Sequence, residues 1–214
     1  MKIQPGSKLL MIGDSITDVG RAQPVAEGLF DPLGRGYVNI VSALIGAVYP
    51  HYRIRVVNMG CSGNTVRSLK DRWQRDVLGL KPDYVNLMIG INDCWRPFKR
   101  LIADEMKVDV EKYARNLEKL VDQTLLQVKG MTLMTPYFIH PSRDDTMRAA
   151  MDEYRAAMKQ VAAQKGVPCF DTQEKFDAAL RHLHPYMFAG DCVHPYAGGH
   201  LMLARTWLEG VNLW

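Results

Sequence analysis

The sequence predicts an α/β protein of three layers, in which helices cover both faces of a five-stranded parallel sheet. Short apolar runs typical of buried strands alternate along the chain with longer segments of helical periodicity. This alternation indicates parallel strands joined by right-handed crossovers. A length of 214 residues suits one well-buried core. Residues 1–214 are therefore expected to form a single domain.

The predicted strands are apolar runs that stop at glycine or polar residues. The first run, Leu9 to Ile12, ends abruptly at Gly13, and the second is centred on Val56 and Val57. A third run leads into Gly90, and two shorter runs follow the later helices. The five predicted strands cover residues 9–12, 53–58, 83–89, 131–135 and 167–171.

The predicted helices are longer segments with apolar residues at every third or fourth position. Such residues recur from Val38 to Val48, and Pro50 ends that helix. The segment before it, 21–36, is rich in glycine and proline and is predicted to be a loop. The predicted helices cover residues 37–49, 65–78, 108–128, 145–164 and 196–209.

The charge pattern argues against nucleic acid as a partner. The formal net charge is +4. Lysines and arginines are interspersed with acids, and no basic run of five or more residues is present to follow a phosphate backbone. No nucleic-acid partner is therefore expected.

The apolar runs are too short for a signal peptide or a membrane span. The N-terminal run has four residues, and the stretch from Val38 to Tyr49 is interrupted by polar residues and falls well below the roughly 20 residues of a span. The four cysteines are widely separated and form no Cys-x-x-Cys pair. The sequence therefore predicts a cytoplasmic protein with reduced thiols and no membrane partner.

Two motifs carry residues suited to nucleophilic chemistry. Ser15 follows the first strand directly, at the sheet edge where open α/β sheets bind ligands, although it also suits the cap of a helix. Pro195 keeps His194 out of helical geometry, and Asp191 can fold back onto its ring. Metal ligation and an ordinary surface histidine are the alternatives for His194, and no second ligand stands at a suitable spacing.

Other features have a structural interpretation. Ser62 does not stand in the Gly-x-Ser-x-Gly pattern of a nucleophile elbow, because Gly63 follows it immediately. Gly34 and Gly36 lack the third glycine of a dinucleotide-binding motif. Trp73 is expected to pack in or at the edge of the core.

Four sequence blocks together resemble the SGNH or GDSL hydrolases. They are Gly13-Asp14-Ser15, Gly60, Gly90-Ile91-Asn92-Asp93 and Asp191-x-x-His194, and they occur in the order typical of that superfamily across nearly the whole chain. Longer runs around Ser62, Met88 and Val193 resemble bacterial GDSL acetyl xylan esterases, which are cytoplasmic. The resemblance implies a flavodoxin-like sheet, a Ser-His-Asp triad, no metal or other cofactor, and assembly into a homo-oligomer.

The residues of these blocks suit ester hydrolysis. The hydroxyl of Ser15 needs an adjacent base, for which His194 is suited, and Asp191 can fix the tautomer of that ring. The backbone N–H groups of Ser15 and Gly60, with the side-chain amide of Asn92, are expected to stabilise the oxyanion.

Further residues near the motifs have predicted roles. Asp14 and Asp93 are expected to accept hydrogen bonds from backbone amides and hold the loops, with the role of the triad acid as the alternative. Trp95, Arg96 and Tyr137 follow the third and fourth strands and are candidates for a wall that contacts sugar, with core or rim packing as the alternative.

The sequence thus favours a serine esterase that removes acetyl groups from small carbohydrate esters. A thioesterase or lysophospholipase acting on long acyl chains is the alternative, because one fold can host both activities. A binding module without activity is disfavoured, since it needs no nucleophile, base and acid together. Polar segments beside Ser15, such as 17–21 and 92–96, argue against a long acyl channel.

Overall fold

The predicted parallel sheet is present. A computed structural model describes residues 1–28, 30–99 and 108–214, with the side chains of 97–99 left out. Five parallel strands form one sheet in the order β2-β1-β3-β4-β5, which confirms the α/β class. The strands are β1 Lys8–Gly13, β2 Arg55–Asn58, β3 Tyr84–Met88, β4 Gly130–Met134 and β5 Cys169–Phe170.

The five predicted helices are confirmed, with ends that shift by a few residues. The helices are α1 Ser15–Asp18, α2 Tyr37–Val48, α3 Val66–Asp76, α4 Ile91–Lys99, α5 Val110–Leu125, α6 Thr146–Lys165, α7 Thr172–Leu180 and α8 Ala197–Gly210. The sequence did not predict α1, α4 or α7, because all three are short and α4 contains Pro97, a residue that normally indicates a helix end. The loop over 21–36 is confirmed except at Leu29, which lies outside the described residues.

The strand order explains the two helical layers. The step from β1 to β2 runs in the opposite direction to every later step, so right-handed crossovers place α2 on one face and α3, α5 and α6 on the other. Accordingly, α2 packs with α8, whereas α5 packs with α3 and α6. Trp73 lies in the second of these layers, almost fully buried, and its indole donates a 3.1 Å hydrogen bond to Thr124. The expected structural role of Trp73 is thereby confirmed.

The sheet has its topological switch point between β1 and β3. These strands are neighbours, with Gly13 in register with Met88, yet the chain leaves them toward opposite sides. Ligands of open α/β sheets bind in the crevice at such a point. A Cβ atom on Gly13 would lie 2.3 Å from the carbonyl oxygen of Met88, so only glycine permits this close approach. Ser15 and Asn92, which follow the two strands, consequently meet at the crevice.

Candidate active site

Three predicted side chains form a continuous hydrogen-bonded chain at the crevice. Ser15 Oγ lies 2.9 Å from His194 Nε2, and His194 Nδ1 lies 2.6 Å from Asp191 Oδ2. Ser15 is the first residue of α1, whereas the other two lie on the loop before α8. A hydroxyl in contact with an imidazole that is oriented by a carboxylate is the arrangement of an activated serine nucleophile.

Asp191 is held as an ionised acceptor. Burial by itself raises its pKa, but the hydrogen bond from the His194 ring and those from the N–H groups of His194 and Val193 outweigh burial and lower the pKa below its ordinary value. The two backbone bonds to Oδ1 measure 2.8 and 3.0 Å. The other oxygen, Oδ2, therefore remains available to the ring. An ionised partner favours a proton on Nδ1 and leaves Nε2 free to accept from Ser15.

Asn92 presents one amide hydrogen to the same place. Its Oδ1 accepts a 3.2 Å bond from the indole N–H of Trp95, and its Nδ2 donates a 3.0 Å bond to the carbonyl of Asn64. These two bonds settle which side of the amide is nitrogen. Within the described residues the second hydrogen of Nδ2 has no acceptor, so it can donate to a ligand in the crevice.

The expectation that Gly60 supplies an oxyanion donor is wrong. Its N–H already donates a 2.8 Å bond to Asn58 Oδ1, and the residue is buried. A Cβ atom at Gly60 would lie 2.2 Å from the backbone nitrogen of Asp18, so glycine is required there for the packing of α1 against the loop. The signal was present in the sequence, because an asparagine two residues before a glycine commonly captures its N–H in an Asx turn.

Gly63 takes the place at the crevice that Gly60 was expected to occupy. It lines the same cleft as Ser15 and Asn92, and within the described part of the chain its N–H has no acceptor. Its φ of 79° lies in the left-handed region that favours glycine. The dipeptide Ser62-Gly63 before Asn64 is a turn signal that could have identified this residue.

The buried carboxyls Asp14 and Asp93 clasp backbone amides, as predicted. Asp14 accepts a 3.0 Å bond from the N–H of Ile16, and Asp93 accepts bonds of 3.0 and 3.2 Å from the N–H of Val66. Burial raises the pKa of each carboxyl, the backbone bonds oppose that rise, and the charge of Asp14 adds to the rise for Asp93; the net pKa is about 7 for both. Each loop is thus fixed by a carboxyl whose ionised form is disfavoured.

Two of the three candidate wall residues line the cleft. Trp95 packs edge-on against His194 with 5.9 Å between ring centroids, and the guanidinium of Arg96 donates to the carbonyl of Gly63. The expectation for Tyr137 is wrong. Its ring packs against Phe176 in the core with 1% of its surface exposed, and its hydroxyl donates to the carbonyl of Val193. That bond gives the phenol a buried partner, which makes core packing favourable.

The cleft is lined by polar side chains together with the apolar indole of Trp95. Its volume is about 580 Å³, and its walls are Ser15, Ser62, Gly63, Asn92, Trp95, Arg96 and His194. The Ser62 hydroxyl donates 2.8 Å to a carboxylate oxygen of Asp18, whereas Ser15 contacts the imidazole. Ser62 is therefore a wall residue that has no contact with the imidazole, which agrees with its sequence context.

No group of three or more histidine, cysteine, aspartate or glutamate side chains in the described part of the chain is placed to hold a metal ion. None of the helices described is both long and apolar enough to cross a membrane.

The fold and the site together define a serine hydrolase of the flavodoxin-like α/β class. The chain belongs to the GDSL-like Lipase/Acylhydrolase family, which matches residues 11–202. An acetylxylan esterase from Geobacillus stearothermophilus is 49% identical over 212 residues, which cover 99% of this chain and 97% of that protein.

Solved structures agree with this assignment. A catalytic S15A mutant of the Geobacillus esterase, called Axe2, is 48% identical and superposes with a TM-score of 0.97 over 100% of this chain and 98% of that one. Further catalytic mutants of that esterase carry the changes H194A and D191A. LAE5, an alpha/beta hydrolase from the metagenome of Lake Arreo, Spain, is 48% identical with a TM-score of 0.96 over 99% of this chain and 97% of that one.

Proposed function

We propose that this protein is a serine esterase that removes acetyl groups from xylo-oligosaccharides or similarly small acetylated carbohydrates. The observation that carries the proposal is the contact chain from Ser15 Oγ through the His194 ring to Asp191 at the sheet's switch point. The similarity to an acetylxylan esterase across nearly the whole chain supports the substrate class. The catalytic mutants of that relative, changed at residues of the same type and number, support the assignment of the three roles.

In the first half of the reaction, Ser15 Oγ attacks the acetyl carbonyl while His194 Nε2 takes its proton. The imidazolium that forms is stabilised by Asp191, which accepts from Nδ1. His194 then gives the proton to the sugar oxygen as the ester bond breaks, and an acetyl group remains on Ser15. In the second half, His194 takes a proton from water, whose oxygen attacks the carbonyl carbon of the acetyl-enzyme. His194 then returns that proton to Ser15 Oγ as the bond between Ser15 and the acetyl group breaks, and acetate is released.

The tetrahedral intermediates carry a negative oxygen that three neutral donors can stabilise. We assign this role to the N–H groups of Ser15 and Gly63 and to the amide of Asn92, all of which border the cleft. Because these donors are neutral, their ability to donate does not depend on pH. Losing one such donor typically costs about 100- to 1,000-fold in turnover.

The lining of the cleft supports a short acyl group, because Trp95 is the one large apolar side chain among the described residues that border it and no aliphatic side chain is among them. Serine, glycine, asparagine, arginine and histidine account for its walls apart from Trp95. A methyl group needs little apolar surface, whereas each added methylene that finds such surface contributes about 0.8 kcal/mol. The rate is therefore expected to fall from acetyl esters onward.

The test combines Ser15→Ala with a series of p-nitrophenyl esters and acetylated xylo-oligosaccharides. Ser15→Ala should fold normally and lose about 10⁴- to 10⁶-fold in kcat, because no acyl-enzyme can form. Ser62→Ala is the matched control: it removes another serine of the cleft but leaves Ser15, so the variant should still form the acyl-enzyme. Retention of a tenth of the activity in Ser15→Ala would refute the mechanism. A kcat/KM that rises from acetate to octanoate would replace the proposal with a thioesterase or lysophospholipase.

We further propose a homo-oligomer in a reducing compartment, the cytoplasm. Tyr186, Tyr196 and Trp214 each expose more than half of their surface, an aromatic area that a neighbouring copy can cover. None of the four cysteines, which all lie among the described residues, forms a disulfide bond, and reduced thiols are the default in the cytoplasm. Light scattering behind size-exclusion chromatography gives the mass in solution, and the mass of a single chain would contradict the assembly.

A further inference from the structure

The cleft-facing glycine lies at the third position of a tight turn. Asn64 N–H donates a 3.1 Å bond to the carbonyl of Cys61, which closes a four-residue turn over Cys61, Ser62, Gly63 and Asn64. Gly63, the third residue, has a φ of 79°. A positive φ at this position is the mark of a type II turn.

The turn type decides where the Gly63 N–H points. This N–H belongs to the central peptide, between Ser62 and Gly63. Type I and type II turns differ mainly by a flip of that central peptide, with the ends of the turn left in place. A flip would therefore turn the Gly63 N–H away from the cleft without breaking the bond from Asn64 to Cys61.

Asp18 binds the peptide group that precedes the central peptide of the turn. Its Oδ2 accepts a 3.0 Å bond from the Ser62 N–H and a 2.8 Å bond from the Ser62 hydroxyl. Asp18 is the last residue of α1, the short helix that begins at Ser15. The start of the turn is thus tied to the helix that carries the nucleophile.

Arg96 binds the peptide group that follows the central peptide of the turn. Its guanidinium donates from Nη2 to the carbonyl oxygen of Gly63. Arg96 lies on α4, one turn after Asn92, whose own Nδ2 donates to the next carbonyl, that of Asn64. The end of the turn is thus tied to the helix that carries the side-chain oxyanion donor.

We propose that Asp18 and Arg96 are positioning residues that hold the 61–64 turn so that the Gly63 N–H faces the oxyanion. The inference rests on the proposed function, because it assigns the orientation of one donor of that site. Both residues act through Gly63, and Arg96 has this role whether or not a sugar is bound. The three oxyanion donors are then linked through two helices, which sets their spacing before substrate arrives.

The test measures kcat and KM of Arg96→Ala and Asp18→Ala on p-nitrophenyl acetate, which has no sugar. We expect kcat to fall about tenfold or more while KM changes little, since the oxyanion exists only in the transition state. An arylboronate that forms a tetrahedral adduct with Ser15 should bind more weakly by a similar factor. Arg96→Lys and Asp18→Asn, which can keep part of the bonding, should recover part of the lost kcat.

The controls separate this inference from the function beneath it. Arg115→Ala removes an exposed arginine of α5 that pairs with Glu111, and it should leave kcat unchanged. Full kcat and unchanged boronate affinity in both alanine variants would overturn the positioning role. So would a higher KM confined to acetylated xylo-oligosaccharides, which would make Arg96 a sugar contact only. An active Ser15→Ala would instead refute the proposed function itself.

Discussion

Aspartates lie beside proposed catalytic residues both in the loop at the rim of the cleft and in the buried loops beneath it, here called the floor. The two environments shift the pKa of the carboxyl in opposite directions. The side chain of Asp191, on the rim, is 37% exposed, accepts three hydrogen bonds, and has a lowered pKa. Asp14 and Asp93, on the floor, are 1% and 2% exposed, and burial raises their pKa to about 7.

The difference shows that the environment of a carboxyl, and not its distance along the chain from the nucleophile, decides what it does. Asp14 is adjacent to Ser15 in sequence, but its oxygen is bonded to the N–H of Ile16. Asp191 is ionised and meets the ring of His194 directly. An ionised acceptor stabilises an imidazolium, whereas a carboxyl whose pKa is raised to about 7 is only partly ionised at neutral pH and stabilises it less.

The sharpest test of this contrast is Asp191→Asn. The amide keeps the shape of the side chain but cannot stabilise the imidazolium and favours the wrong tautomer of His194, so kcat should fall about 10⁴-fold. The measurement is steady-state hydrolysis of p-nitrophenyl acetate, with circular dichroism as a check of folding. Asp14→Asn is the matched comparison and should lose far less. Equal losses of kcat in the two variants would show that Asp14 contributes to the acid role as much as Asp191 does.

A second test concerns packing, because an added Cβ atom has no room at a buried glycine beneath the cleft but has room at a glycine on the surface. Gly60→Ala would place Cβ 2.2 Å from a backbone nitrogen of α1, and backbone cannot rotate away. We expect a loss of about 3 kcal/mol in unfolding free energy, at the upper end for an overpacked core. Thermal unfolding measures it. Gly46→Ala, within α2 and with no atom within 4 Å of its Cβ, should be neutral or stabilising. Comparable stability of the two variants would contradict the close packing.

The smallest effect, counted per pH unit, is expected on the pH dependence of stability. The folded-state pKa of Asp93 is raised to about 7, so between about pH 4 and pH 7 the folded state holds a proton that the unfolded state releases. Its contribution therefore lowers the free energy of unfolding as pH rises, by up to about 1.4 kcal/mol per pH unit. Asp93→Asn should flatten that slope, so its stability relative to the unmodified protein is higher at pH 8 than at pH 5.

Urea unfolding at pH 5, 6, 7 and 8 gives the slope directly. Asp144→Asn, on an exposed loop, serves as the control and should reproduce the slope of the unmodified protein. A slope that Asp93→Asn leaves unchanged would show that the buried carboxyl stays ionised across this range.

The parts of the site that could be predicted depend on short-range geometry. Asp191 reaches the ring of His194 three residues away, and Asp14 caps the N–H of Ile16 two residues away. Gly60 and Gly63 show the limit of such reasoning, since both stand in one turn-rich segment. Asn58 takes the N–H of the first, and only the second borders the cleft.

By itself, the sequence determined the alternation of strands and helices, the polar residues at the strand ends, and the local pairing of Asp191 with His194. These features depend on periodicity and on backbone geometry within a few residues. The contact of Ser15 with an imidazole 179 positions away was implied by the family resemblance and not by any local pattern, and the tertiary structure supplied its geometry and placed Tyr137 in the core. Contacts of that separation depend on the order of strands in the sheet and on which faces the crossover helices cover, and no local pattern encodes either.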